Sequence, residues 1–493
     1  MSLPDGFWLL VAAHARLALA ALLAAIALGL PLAIWGHRRP RMGRGFLAVA
    51  GVVQTIPGLA LLAVMVPLLA AVSLPSIGAW PAWLGLMLYG VFPILQNGLT
   101  GLAGVDPALR EAARGVGMTE RQSLWQVELP LALPVLVAGV RTAGVWLMGM
   151  ATLSTPIGAP SLGNPIFSGL QTRRYDLVLI GCIGSAALAL LLDGLIRLIE
   201  EGYRRRDRRR RVVGSAGIAA MVMAAFVPLA SAPESAVVVG AKTFSEQYIL
   251  AALLVEEIED EGEAAEVRSS LGSTVVFDAL ANGEIDLYVD YSGTIWATLM
   301  EREGSASRER VREEVEAWLR EEHGIELVCA LGFENTYALA VRAETAAEGV
   351  RSIGDLRSSM VVGGDYELFE RDEWRAVVET YGLRFREQRA MDPALMVDAL
   401  ARGDVDVIGA YSTDGRLAAL GHVVLRDPEQ AIPPYDAIVL ASAPFVERHP
   451  LIVERLRALE GSIDADAMRR MNLAVDGEGR APAEVARDWR ATR

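Results

Sequence analysis

The first half of the chain alternates long apolar runs with short polar breaks, and the second half does not. A bilayer crossing needs about 20 apolar residues, because the hydrocarbon core is roughly 30 Å thick. Runs of that kind occupy 17–35, 46–71, 79–102, 131–153 and 177–199, and a shorter one covers 212–232. Together they predict six membrane-spanning helices, with a cleaved signal-like remnant as the alternative for 212–232. The stretch ahead of the first run carries His14 and Arg16. It reads as an interfacial segment, since a cleaved signal would place its charges first and have no row of spans behind it.

From residue 236 the pattern shortens. The apolar segments Val237-Val238-Val239-Gly240, Ile285-Asp286-Leu287-Tyr288 and Val405-Asp406-Val407-Ile408 alternate with helical stretches at 245–258, 275–281 and 393–401. Such alternation predicts parallel sheets with helices on both faces. Roughly 260 residues are enough for two lobes of that kind. Ligands of open α/β sheets bind at the carboxyl ends of strands, so a cleft between the lobes is the expected site.

Charge sharpens the division. Residues 1–233 hold 19 basic and 10 acidic side chains, whereas 234–493 hold 27 basic and 50 acidic. A soluble half with that excess of acid repels phosphate and argues against nucleic acid as a partner. The excess itself reads as solvated surface. Cys182 and Cys329 are the only cysteines and fall in different halves, which leaves no disulfide framework and no cysteine-based zinc site. No cofactor motif emerges. A phosphate-binding loop requires Gly-Lys-Ser/Thr preceded by a further glycine, and here the sole lysine, Lys242, follows Ala241, with Ala236 at the other glycine position.

Short loops set the orientation, because arginine and lysine are retained in the cytoplasm. The loop 37–44 has four arginines and 204–211 has seven, while 72–78 has no charge. Alternation then puts the N-terminus outside, the arginine-rich loops inside, and everything after 232 outside. Within the spans, Arg141 and Asp193 lie at comparable depth, which predicts that they pair or line a pathway. The alternative for Asp193 is Arg197, one turn along its own helix.

Between the third and fourth runs, Asp106 or Pro107 can start a helix and Gly115 and Gly117 can break it into a turn. A second amphipathic stretch, 121–128, is expected to stop before Leu129-Pro130. The spacing here is Glu111-Ala112-Ala113, three residues, Gly117, nine residues, Val127, one residue, Leu129-Pro130. It resembles the EAA loop by which ABC importer permeases engage their ATPase. Gln54-Thr55-Ile56-Pro57-Gly58, residues 89–97, and 157–158 through 169–170 are similar to permeases for quaternary-amine osmoprotectants. One departure is Ser161-Leu162-Gly163, where the family more usually has Gly-Leu-Gly.

The second half resembles the glycine betaine/carnitine/choline-binding proteins of the same transporters. Five segments at predicted strand ends or loops carry the resemblance: 240–247, 288–294, 332–337, 411–414 and 433–435. A quaternary ammonium has no N–H to donate, so aromatic faces must select it, at roughly 0.5–2 kcal/mol per ring. The resemblance implies a cage of Tyr291, Tyr337, Tyr411 and Tyr435, with Thr294 and Asn335 beside them. Lys242, Gln247 and Arg371 are implied at the carboxylate or hydroxyl end. Lys242 stands out as the one lysine among 46 basic residues. Tyr288 is expected to point away from Tyr291 by strand alternation.

What the resemblances imply is an all-α transmembrane permease domain of the type I ABC importer, followed by an α/β two-lobe binding-protein domain of type II. The expected boundaries are 1–203 for the permease with its loop at 104–131, 204–235 for a basic cytoplasmic linker plus a sixth transmembrane helix, and 236–493 for an extracytoplasmic binding domain. The implied partners are the lipid bilayer, two copies of a separate cytoplasmic ATPase engaged through Glu111, Ala112, Ala113, Gly117, Leu129 and Pro130, a second copy of the chain, and a quaternary-amine solute. Ergothioneine, also a trimethylated betaine, is the alternative cargo. A membrane-anchored sensor would require a cytoplasmic output domain that the sequence does not supply, and no nucleophile–base or metal motif suggests an enzyme.

Overall fold

The computed structural model describes residues 6–72, 74–172, 174–226, 236–302, 306–370, 372–391 and 393–493. They form two compact units, one from the helical first half and one from the α/β second half.

In the helical unit α1 (Phe7–Arg38) packs most extensively on α4 (Ala79–Ala103). Small residues make that approach possible: a Cβ on Gly98 would lie 2.6 Å from Ala33 Cβ, and one on Gly90 would lie 2.8 Å from Ala25 Cβ. His14, fully buried in α1, accepts from Leu162 N at Nδ1 (3.3 Å), so its Nε2 carries the proton donated to Met148 O (2.9 Å). Ser161, the departure noted above, is used in the same turn: its hydroxyl bonds Thr155 Oγ1 (3.0 Å) and accepts from Gly163 N (2.9 Å).

Four helices among the described residues are long and apolar enough to span: α1, α4, a continuous helix Glu120–Ile157 (α6) and Tyr175–Arg204 (α7). The run at 46–71 is not one straight span as expected. It is divided into α2 (Pro40–Thr55) and α3 (Gly58–Ala70), bent by 100°. Pro57 supplies no N–H and forces Ile56 into an extended conformation (φ −71°, ψ 128°). The Ile56 carbonyl released by the break accepts the Tyr89 hydroxyl. Of the 212–232 run, 212–226 lies in α8 (Arg208–Phe226), and 227–232 falls outside the described residues.

The second half holds two five-stranded sheets. Lobe one orders its strands β2-β1-β3-β10-β4, from β1 (Val237–Lys242), β2 (Ala265–Leu271), β3 (Leu287–Tyr291), β4 (Ile325–Glu334) and β10 (Asp436–Ser442). Lobe two orders β7-β6-β8-β5-β9, from β5 (Tyr337–Val341), β6 (Val361–Gly364), β7 (Glu387–Ala390), β8 (Val407–Tyr411) and β9 (Val423–Val424). The sheets are mixed, not wholly parallel as expected. β1–β3 and β6–β8 are parallel, but β10 runs antiparallel to both β3 and β4, and β5 antiparallel to both β8 and β9. The cause is connectivity: the chain leaves lobe one along β4, enters lobe two directly on β5 through Asn335-Thr336, and returns on β10. Alternation within β5 sends Leu339 and Val341 into one apolar cluster and Ala340 into another on the opposite face.

Candidate functional site

Five of the segments singled out in the sequence sit where strands end or the chain crosses between lobes. Lys242 closes β1, Tyr291 closes β3, Asn335 lies in the crossing, Tyr337 opens β5, Tyr411 closes β8, and Tyr435 precedes β10. Tyr337 and Tyr411 are directly opposite in the β5–β8 register. Their rings are 5.0 Å apart, tilted by 36°, and their hydroxyls are 3.3 Å apart. Tyr337 is buried while Tyr411 is 38% exposed, so the pair has one open side.

Tyr291 occupies a denser setting. Its hydroxyl donates to Glu246 Oε1 (2.5 Å) and accepts from Gln247 Nε2 (3.1 Å), and its ring stacks on Phe244 at 6.2 Å. Glu246 also receives Asn335 Nδ2 (3.0 Å) and Asn472 Nδ2 (2.8 Å). Burial pushes the Glu246 carboxyl up despite these donors, and burial followed by the Glu246 charge pushes the Tyr291 phenol well up. Asn335 N donates to Tyr435 O (3.0 Å), which fixes the fourth tyrosine beside the crossing. The Tyr435 ring lies so close to Gly293 that a Cβ there would come within 2.6 Å of it. The Tyr435 hydroxyl donates to Glu373 Oε1 (2.5 Å). Thr294 is half-buried in the turn after β3.

Lys242 is not an open ammonium. It is 3% exposed, ion-paired with Asp290, and 5.5 Å from the Tyr291 ring centroid. Asp290 also accepts from Tyr288 Oη (2.5 Å) and from Tyr291 N (2.7 Å). Tyr288 thus points away from Tyr291 into the core, as alternation predicts. Lys242, Gln247, Tyr291 and Asn335 are brought into one hydrogen-bonded cluster, Tyr337 and Tyr411 into a pair, and Arg371 lies outside the described residues.

Sequence reasoning missed Glu246, Asp290, Glu373 and Asn472. Reading the acid of this half as surface hid the first three. A signal existed for Asp290: it interrupts a strand whose five residues are all buried, and such a charge demands a cation. For Glu373 and Asn472, which reach the site from distant helices, the sequence carried none.

The loop between α4 and α6 begins as expected. Asp106 caps α5 (Pro107–Gly115), accepting from Ala108 N at 2.8 Å with Pro107 in the first turn, and Gly117 adopts φ +84°. Thr119 and Gln122 then form a reciprocal cap. The second stretch does not stop before Leu129-Pro130. A single wide π-helical turn, Leu124–Glu128, carries it into the spanning part of α6, and Pro130 is tolerated because it enters just past that turn. Buried Glu128 anchors the loop: Ser123 Oγ donates to it (3.2 Å), and His37 (3.3 Å) and Arg38 (3.7 Å) approach it from the end of α1. Glu111, Ala112 and Gly117 are exposed, Ala113 is buried, and Leu129 and Pro130 continue into the helix. Deeper in the bundle Arg141 pairs with Asp193 (3.4 Å) and Glu200 (3.1 Å), while Arg197 takes Glu201 (3.3 Å). The paired arrangement is the one found.

A family model described as the substrate binding domain of ABC-type glycine betaine transport systems matches residues 235–492, over half of the chain. The chain belongs to that family. Residues 25–205 match a second model, the inner membrane component of binding-protein-dependent transport systems. The ergothioneine transport permease/ergothioneine binding protein of Helicobacter pylori is 28% identical over 90% of this chain and 82% of its own length. The carnitine transport permease protein of Listeria monocytogenes is 38% identical over 38% of this chain and 83% of its own. Among solved structures, a glycine betaine/carnitine/choline ABC transporter component is 29% identical with a TM-score of 0.50, covering 52% of this chain and 98% of that one. The protein is therefore a multi-pass inner-membrane permease continuous with its own substrate-binding domain, which lies outside the membrane. It is the transport part of an ABC importer and acts with an ATPase partner.

Proposed function

We propose that this subunit captures and imports a quaternary-amine solute of the glycine betaine, choline or carnitine kind. The observation that carries this reading is the Tyr337–Tyr411 pair, two rings 5.0 Å apart with one open side, at the crossing that also holds Tyr291, Asn335 and Tyr435. Aromatic faces attract a methylated cation that hydrogen bonds cannot select. Ergothioneine is the second reading, favoured by the relative whose fused architecture spans 90% of this chain. Lys242, Gln247 and Arg371 are assigned to the other end of the solute, with Thr294 and Asn335 beside the tyrosines. Lys242 acts there through its pair with Asp290. Titration calorimetry of the full chain with glycine betaine, choline, carnitine and ergothioneine separates the candidates. Tyr337→Ala/Tyr411→Ala is expected to weaken binding of the preferred solute by about 10- to 1,000-fold, the worth of two rings. Unchanged affinity in that variant removes the quaternary-amine class altogether.

Power comes from two copies of a separate ATPase acting on a homodimer of this chain, with the binding domain facing the periplasm. Glu111, Ala112, Ala113 and Gly117 form the surface that receives the ATPase, and the π turn joins that surface rigidly to α6 through Leu129 and Pro130. Glu111→Ala and Gly117→Val are expected to lower uptake at least about tenfold, the loss of one buried charged or backbone contact. Solute affinity stays at the wild-type value. Wild-type uptake in both variants removes the coupling role.

A further inference from the structure

At the end of the helical unit remote from the 104–131 loop, a cavity of about 280 Å³ is lined by Arg16, Leu17, Ala20, Trp80, Trp83 and Pro160, among others. Trp80 opens α4, whose other end leads into the loop, roughly 35 Å away at 1.5 Å per residue. Arg16 is separated by a similar rise from Arg38, which touches the start of α6. The cavity therefore opens on the face opposite the ATPase, where solute arrives.

Its chemistry is specific. The Trp80 and Trp83 rings meet at 85° with centroids 5.8 Å apart, two walls of an aromatic corner. Arg16, exposed, makes no ion pair among the described residues. No acidic side chain lines the space. Indole is the strongest of the aromatic rings for a cation, and guanidinium matches a carboxylate or phosphate with two parallel hydrogen bonds. A bare cation meets Arg16 without compensation, whereas a molecule that joins a methylated ammonium to an anionic group satisfies both ends.

We propose that Arg16, Trp80 and Trp83 form a receiving site on the permease for a zwitterion bearing a quaternary ammonium and an anionic oxygen group, distinct from the tyrosine site of the binding domain. The proposal rests on the import of quaternary amines argued above and narrows it, because the site favours betaines over choline. A phosphatidylcholine headgroup carries the same two charges, and an aromatic pair at a membrane face also serves as an interfacial anchor. The test distinguishes these.

The full chain with its ATPase is reconstituted in vesicles of phosphatidylethanolamine and phosphatidylglycerol, and uptake of glycine betaine, ergothioneine and choline is measured beside calorimetric affinity. Arg16→Gln is expected to lower uptake of the zwitterions about tenfold while choline changes less than about twofold, as the loss of one charge-assisted contact predicts. Trp83→Leu is expected to lower uptake of all transported solutes about tenfold, with Trp83→Phe within about threefold of wild type because the ring face survives. Binding affinity stays constant in each, since the tyrosine site is untouched. Wild-type uptake in Arg16→Gln and Trp83→Leu overturns the proposal, as does an equal loss for choline and the betaines in Arg16→Gln. Effects seen only after phosphatidylcholine is added assign the cavity to a headgroup and overturn it too. A wild-type chain that binds none of the three solutes sinks the quaternary-amine reading itself, a result separate from insensitive variants of a transporting chain.

Discussion

Asp290→Asn is expected to destabilise the binding domain by about 3–5 kcal/mol, the cost of stranding one member of a buried ion pair. Lys242 and Asp290 are 3% and 1% exposed, and Asp290 also accepts from Tyr288 Oη and the Tyr291 amide. Without the carboxylate, the buried ammonium loses its ion-pair partner and Tyr288 loses a charge-assisted acceptor. In a domain of this size the loss corresponds to a fall in melting temperature of about 10 °C, measurable by thermal unfolding of the full chain in detergent. Lys242→Met/Asp290→Asn is expected to regain most of it, because an apolar side chain of similar length removes the stranded charge and the amide oxygen still accepts from Tyr288. A melting temperature for Asp290→Asn within about 2 °C of wild type contradicts the argument. The double variant also isolates the functional part of the pair. If Lys242 contributes to the anionic end of the solute, its affinity for carboxylated solutes falls while that for choline holds.

The same pair illustrates what could be seen in the amino-acid order. A lysine used once in a chain that otherwise writes arginine is visible as unusual, yet its partner is not, because Asp290 stands inside the motif that carries its neighbour Tyr291. Strand-end tyrosines were legible since each comes with its own local signature, and the β5–β8 register brought two of them face to face. Sheet direction was not legible. Hydrophobic alternation reports which faces are buried, not which way a strand runs, and the reversal of β5 and β10 follows from crossings between lobes that no local pattern encodes. The break at Pro57 was written in the sequence, but an apolar run on both sides of a proline reads as one span until the 100° bend is seen. At Leu129-Pro130 the converse holds: the proline reads as a stop, but one π turn carries the helix through it.

Glu246 ties together elements that those motifs describe separately. It begins a lobe-one helix, receives Tyr291 from the end of β3, Asn335 from the crossing and Asn472 from a C-terminal helix, and is also hydrogen-bonded with Thr413 after β8 of lobe two. Burial holds its carboxyl above the ordinary value of 4.5, so the folded state binds a proton where the unfolded chain has released it. Its contribution is then fully present below the unfolded value and is lost as pH rises through the raised one, with a slope of up to roughly 1.4 kcal/mol per pH unit. The other ionisable groups at this centre are the Tyr291 phenol and the adjoining Lys242–Asp290 pair, and the phenol's upward shift keeps it neutral over the same range. Glu246→Gln is expected to abolish the slope. The amide retains an oxygen acceptor for Tyr291 and removes the charge whose burial raises the carboxyl. Its melting temperature should therefore equal or exceed wild type at pH 8. Glu246→Ala leaves the tyrosine and both amides without their acceptor, at about 1–3 kcal/mol for each buried group, and should be the least stable of the three at every pH. Melting curves of the full chain between pH 5 and 8 decide the matter: a wild-type profile parallel to that of Glu246→Gln means the carboxyl does not hold its proton in the folded domain.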